Sequence, residues 1–177
     1  MKLCFGKKVE SDFQQGMLWI RDQFCWDDDR INDLMACMAF ESAETFSPKI
    51  QNLAGSGAVG LIQFMPITAE SLGVSTRLLE KMSAVRQLGY VYKYFKPYAH
   101  RIHSISDMYM AILYPAAIGK DDEEILFSHG VAYRQNSALD ENTDGMITKG
   151  EATKPVRSKR VKGMRDEFSA EVNEDIS

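Results

Sequence analysis

The stretch running from Met38 to Ala69 constrains this chain most. An apolar helical face runs into a carboxylate, and a turn with Pro48 follows. Gly55, Gly57 and Gly60 then stand close together. The stretch closes on Leu61, Ile62, Gln63, Phe64, Met65 and Pro66 with a fresh helix start. Ile31, Leu34, Met35 and Met38 fall at the i, i+3, i+4, i+7 spacing of a buried stripe. Asp27, Asp28 and Asp29 suit the N-terminus of that helix, as caps and as negative charge against its positive end. Stepping on by three and four residues from Met38 lands on Glu41 and Ser42. The helix predicted over residues 27–42 therefore carries a carboxylate toward its buried face, in its last turn. Desolvation and the negative end of the helix dipole both raise the pKa of such a group. A general acid working near neutral pH needs that shift. On periodicity alone the plainer reading stays ahead: a glutamate that ends a helix and faces water.

The residues that follow change the balance. Glu41-Ser42, Phe46, Pro48, Gly57-Ala58, Gly60-Leu61, Gln63, Met65-Pro66 and Thr68-Ala69 stand in order at near-fixed spacing. Together they resemble the signature of the soluble lytic transglycosylases, lysozyme-like enzymes that cut bacterial peptidoglycan. The resemblance implies a mainly α, lysozyme-like fold with a small helical or loop extension at the C-terminus. It implies Glu41 as the catalytic acid, with Ser42, Gln63, Phe64 and Met65 at the substrate. It extends to Leu113-Tyr114-Pro115-Ala116-Ala117, where Tyr114 matches a family tyrosine that borders the catalytic glutamate. Pro115 replaces the usual asparagine, a departure at one substrate-contact position. The implied substrate is the β-1,4 bond between N-acetylmuramic acid and N-acetylglucosamine in peptidoglycan glycan strands, and the implied product is a 1,6-anhydro sugar. One carboxyl serves both steps of that reaction, outside the usual two-carboxylate scheme. A muramidase, which hydrolyses the same bond, would want a second carboxylate. Glu44, Glu70 and Asp107 are available, and the sequence singles out none of them. A reading of a different class is a calcium-stabilised wall-binding or virion structural protein that keeps the shape without the chemistry.

The chain has 177 residues, enough for one main domain and a small appendage. We expect the peptidoglycan-cleaving domain over residues 1–135, a loop over 136–153 and a charged tail over 154–177. A net charge of −4 gives no ground for a nucleic-acid partner. Cys4, Cys25 and Cys37 lack zinc-ligand spacing and read as buried free thiols. No long apolar run follows Met1-Lys2, so neither a signal peptide nor a membrane span is expected. A wall enzyme made in the cytoplasm then needs another way out, such as holin-assisted release, carriage in a phage particle, or a secretion machine. An endolysin or virion-associated enzyme of a phage fits best, and we expect a monomer.

Taken in order, residues 9–25 read as an amphipathic helix with Phe13, Met17, Ile20 and Phe24 on one stripe. Residues 47–60 read as a loop or short hairpin whose glycines allow positive φ and close backbone approach. Gln63 lies inside an apolar run and needs a hydrogen-bond partner, from the protein or from a bound sugar; the family resemblance favours the sugar. Pro66 opens a short helix that Gly73 ends. Residues 75–98 hold one or two helices, capped by Ser75, with a dense patch at Tyr90, Tyr92, Tyr94, Phe95 and Tyr98. Those rings suit sugars and core packing equally. His100 and His103 read as surface or capping residues. Residues 104–114 form another core helix, and residues 121–127 a short helix with an acidic start.

A second motif lies near the C-terminus. Asp140, Asn142, Asp144, Met146, Thr148 and Glu151 occupy the first, third, fifth, seventh, ninth and twelfth places of a stretch that resembles the EF-hand calcium loop. The resemblance implies side-chain oxygens from Asp140, Asn142 and Asp144 and the Met146 carbonyl. Thr148 or its water and a bidentate Glu151 complete the set, around one structural calcium. Gly145 stands where the loop turns sharply. Residues 128–139 make a poor entering helix, Pro155 limits the exiting one, and no second loop offers itself as a pair. Lys154, Arg157, Lys159, Arg160, Lys162 and Arg165 form a basic run, and Asp166, Glu167, Glu171, Glu174 and Asp175 an acidic one. The basic run either holds the enzyme on anionic envelope polymers or belongs to a solvated tail.

Overall fold

The computed structural model describes residues 1–51 and 55–173. Residues 52–54 of the expected loop, and Glu174 and Asp175 of the acidic run, lie outside the described residues. The chain is mainly helical, as expected for a lysozyme-like fold. The eight α-helices of the described residues are α1 (Ser11–Phe24), α2 (Asp28–Glu41), α3 (Pro66–Ser71), α4 (Thr76–Lys81), α5 (Ala84–Phe95), α6 (Ile105–Leu113), α7 (Gly130–Asn136) and α8 (Lys149–Gly163). Two small antiparallel sheets join distant parts. β1 (Lys2–Leu3) pairs with β4 (Ala170–Glu171), and β2 (Ile125–Phe127) pairs with β3 (Ile147–Thr148).

α2 is the axis of the molecule. The Asp27 side chain accepts from the Arg30 amide at 2.8 Å and starts the helix. Ile31, Leu34, Met35 and Met38 are all fully buried, as their spacing predicts. Burying each such side chain contributes about 1.5–3 kcal/mol. α2 is covered on several sides, by α1, α6 and α8. That surround explains why Asn32, Asp33, Ala36, Cys37 and Ala39 are buried as well.

Several expectations are corrected. Residues 121–127 are not a helix: Asp121 to Glu124 make a turn, and Ile125–Phe127 is strand β2. Its β-branched and aromatic ends fit a ladder with β3 better than a lone helical turn. Pro155 does not cut the exiting helix short, because α8 passes through it to Gly163. The lost backbone bond is offset by packing on α2 and α6, with Ala152, Thr153 and Val156 buried. The basic run is therefore no solvated tail, since most of it lies on α8, which is docked on α2 and α6. The chain beyond α8 also returns to the body, where β4 pairs with β1 and Val172 is buried. Cys4 and Cys37 are buried thiols, but Cys25 is exposed, because it caps α1 in a left-handed conformation at φ 52°. The entering helix α7 is short, as its sequence suggests.

Candidate active site

Glu41 is the last residue of α2 and is only partly exposed. Among the described residues, no hydrogen bond or ion pair reaches its carboxyl. Burial pushes that carboxyl up from 4.5 to about 7. The charge on Glu41 also helps raise Tyr94 and Tyr109, after their own burial, so both phenols stand near it. The Tyr94 hydroxyl donates to the Ala111 carbonyl at 2.6 Å, and Tyr109 meets Phe40 edge to face at 5.6 Å. A carboxyl near pKa 7 can hold a proton and give it up at neutral pH.

The carboxylates that could have served as a second acid are placed elsewhere. Hydrogen bonds from Lys159 and Lys162 hold Glu44 below the usual carboxylate range. Asp107 is buried beside the buried Lys149 ammonium, 2.8 Å away. Burial opposes its ionisation, but bonds from Lys149 and from the Gly119 and His103 amides prevail and hold it low. Glu70 is exposed on α3.

The backbone past Glu41 turns sharply. The Ala43 amide donates to Phe40 and the Glu44 amide to Ala39, which closes the helix in a Schellman-type end. Glycine is usual at such a bend, yet Ala43, Glu44 and Phe46 all adopt positive φ, at 50°, 63° and 50°. Each such residue costs about 1–2 kcal/mol. The local bonds that offset this involve Ser42 and Thr45. Ser42 Oγ accepts from the Phe46 amide at 3.0 Å, and Thr45 Oγ1 donates to the Ser42 carbonyl at 2.6 Å. Ser42 is fully buried in this role.

Val59 and Phe64 exchange backbone hydrogen bonds at 3.1 and 2.9 Å, with Gln63 at φ 51° in the turn between them. The protein supplies partners for the Gln63 amide nitrogen, which donates to the Ile50 and Gly60 carbonyls at 3.2 Å each. Gly60 is required in its place: it has φ 84°, and a Cβ there would lie 2.4 Å from Gln87 Oε1. Gln87, fully buried, is the residue that sequence reasoning missed. Its oxygen accepts from the Leu61 amide, and its nitrogen donates to the Pro48 and Leu79 carbonyls. A signal existed, for Gln87 is a polar side chain inside the apolar stripe of Leu88, Val91 and Phe95.

A small pocket of about 40 Å³ brings Gln63, Phe64 and Met65 together with Tyr94. It shares Thr68, Tyr94 and Ile112 with a wider cleft of about 380 Å³ that continues past Lys93 and Tyr98 to Pro115. Tyr114 is exposed and packs edge to face on Phe127 at 5.6 Å.

Residues 28–88 match the family model of the transglycosylase SLT domain. This stretch is similar to the transglycosylase SLT domain. The match indicates an enzyme of the lytic transglycosylase kind and implies peptidoglycan as its substrate. The match spans roughly a third of the chain, from the first turn of α2 into α5. It includes Glu41, Ser42, Gln63, Phe64, Met65 and Gln87, and leaves Tyr114, the acidic loop and α8 outside the matched domain. No curated protein matches the chain. Among the described residues no helix is long and apolar enough to cross a membrane.

The acidic loop is held by bonds between its side chains and its own backbone. Asp140 Oδ2 accepts from the Gly145 amide at 3.0 Å and from the Tyr133 hydroxyl at 2.7 Å. Asn142 Oδ1 accepts from the Asp144 amide, and Asp144 Oδ1 from the Met146 amide, both at 2.9 Å. Thr143 and Gly145 take φ 59° and 85°, where the loop must turn. Asp140 is buried, and its Oδ1 has no hydrogen-bond partner among the described residues. Glu151 is engaged elsewhere, because it closes a capping box with Thr148 at the start of α8. Among the described residues no group of three or more His, Cys, Asp or Glu stands ready to hold a metal.

Proposed function

We propose that the SLT domain cuts the β-1,4 bond between N-acetylmuramic acid and N-acetylglucosamine by transglycosylation, with Glu41 as its acid and base. The observation that carries this is Glu41 itself, a carboxyl raised to about 7 by burial, with no second carboxylate among the causes of its shift. In the first step Glu41 protonates the leaving glycosidic oxygen, while the neighbouring acetamido oxygen assists at the anomeric carbon. In the second, the Glu41 carboxylate takes the proton of the sugar's own 6-hydroxyl, and that oxygen closes the 1,6-anhydro ring. The proton budget balances on one side chain. Hydrolysis would need a base to activate water. The engagement of Glu44 and Asp107 with lysines therefore favours ring closure. Glu41→Gln keeps the shape and removes the proton. Purified Glu41→Gln protein should not clear a suspension of peptidoglycan, whereas clearing at the wild-type rate would move the acid elsewhere. On the resemblance alone, we read the enzyme as phage-borne, acting on the host wall at entry or at lysis.

We also propose that residues 140–151 take up one calcium ion through Asp140, Asn142, Asp144, the Met146 carbonyl, Thr148 and Glu151. The support is the buried, unpartnered Asp140 oxygen and the left-handed turn at Thr143 and Gly145. Glu151 must leave its cap to join the set, so binding reshapes the first turn of α8.

A further inference from the structure

The turn that ends α2 is left-handed at three residues that are not glycine, and it stands directly after the acid. Inside the turn Glu44 is bonded through its backbone amide, to the Ala39 carbonyl. What reaches its side chain comes from the far end of the chain. Lys159 Nζ lies 2.5 Å from Glu44 Oε1, and Lys162 Nζ lies 2.7 Å from Oε2. The Glu44 side chain is only 15% exposed, so these pairs are less screened than surface bridges.

The helix that carries the two lysines is itself fixed to the body. At its start, buried Lys149 donates to Asp107, Ala117 and Lys120. Further along, Arg160 pairs with Asp29 and Asp33 of α2 at 3.1 and 3.3 Å. At its end, the Phe5 amide donates to the Gly163 carbonyl, and a Cβ on Gly163 would lie 2.4 Å from the Cys4 sulfur. α8 is thus a strut along α2, and two of its cations grip Glu44, three residues beyond the acid.

We propose that Lys159 and Lys162, acting through Glu44, are positioning residues for Glu41: they hold the left-handed turn that fixes where the Glu41 carboxyl stands and keeps it dry. The proposal rests on Glu41 being the acid. It goes beyond that assignment, because these lysines lie outside the matched domain. When the grip is lost, the turn relaxes toward right-handed backbone, the last turn of α2 frays, and Glu41 meets more water. Its proton is then held less firmly, and the acid form is lost at lower pH.

The test compares wild type with Glu44→Gln, Lys159→Met, Lys162→Met and the double lysine variant. Lys154→Met is the control, since Lys154 sits on the same helix and pairs with Glu141 instead. Two readouts are taken. One is the pH profile of kcat with KM measured alongside. The other is the titration of the Glu41 carboxyl by carbon NMR, which needs no turnover. The expected result in Glu44→Gln and the double variant is a kcat lower by about tenfold to a hundredfold with KM little changed. The basic limb of the profile and the NMR midpoint should both move to lower pH. The charge-swapped chain, Glu44→Lys with Lys159→Glu and Lys162→Glu, should recover much of both. Lys154→Met should behave as wild type. A limb and midpoint that stay in place in folded variants, with only the melting temperature lowered, would overturn the proposal. Should Glu44→Gln not fold, the single lysine variants decide by the same two readouts. Should Glu41→Gln remain lytic, the assignment of the acid fails, and the NMR midpoint still judges the grip on its own.

Discussion

At the scale of the residue, Glu41 shows how one position sets both activity and stability. Its carboxyl ionises at about 7 in the fold and near 4.5 when the burial is removed. The folded state therefore binds that proton more tightly than the unfolded state. Its stabilising share is full below about 4.5 and is lost as pH rises through 7. Glu41→Gln carries no such loss. Thermal melts should give equal melting temperatures for mutant and wild type near pH 4, with the mutant melting higher from pH 8 upward. A constant offset across that range would mean that Glu41 is not held in a dry place. Much at this scale was legible. The helical period aimed Glu41 inward, and the glycines at 55, 57 and 60 do take positive φ, at 78°, 74° and 84°. Gln87 stood out only as a polar side chain in an apolar stripe, because its three partners, from Leu61, Pro48 and Leu79, are brought to it by the fold. Leu61 and Pro48 lie far from it in sequence. Tyr94 and Tyr109 were visible as aromatics, but nothing in their spacing placed them beside Glu41.

At the scale of the element, local signals gave most helices and long-range pairing gave the corrections. Asp27, Ser75, Ser83 and Ser104 each accept a backbone amide at a helix start, a pattern readable from neighbours in sequence. The strand at Ile125–Phe127 exists only because Ile147–Thr148 lies beside it, so an acidic run followed by Ile-Leu-Phe looked helical in isolation. α8 is the larger case. Its sequence is polar enough to pass for a tail, and it becomes a core element through buried Lys149. That lysine and Asp107 are a buried pair, and removing one partner strands the other's charge. Lys149→Met should therefore cost about 3–5 kcal/mol in chemical denaturation. A loss under about 1 kcal/mol would show that α8 is held by its apolar face alone.

At the scale of the molecule, the chain closes on itself. β1 pairs with β4, the first amino group donates to the Val172 carbonyl at 2.8 Å, and Arg160 and Lys162 of α8 reach back to α2 and its turn. The matched SLT domain is thus clasped by a segment that its family model does not cover. Calcium at residues 140–151 would act on this clasp through Glu151 and the first turn of α8. Added calcium should raise the melting temperature of wild type, because a ligand bound only by the folded state stabilises it. Asp140→Asn should reduce that rise, and a melt indifferent to calcium and to chelator would contradict the loop as a metal site.

The central claim is that a single carboxyl runs both proton transfers, and the products of purified peptidoglycan test it most directly. Mass spectrometry of a wild-type digest, beside Glu41→Gln, should find muropeptides ending in 1,6-anhydro-N-acetylmuramic acid with wild type and none with the mutant. Reducing-end products, heavier by one water, would contradict ring closure and require a second carboxylate at the cleft.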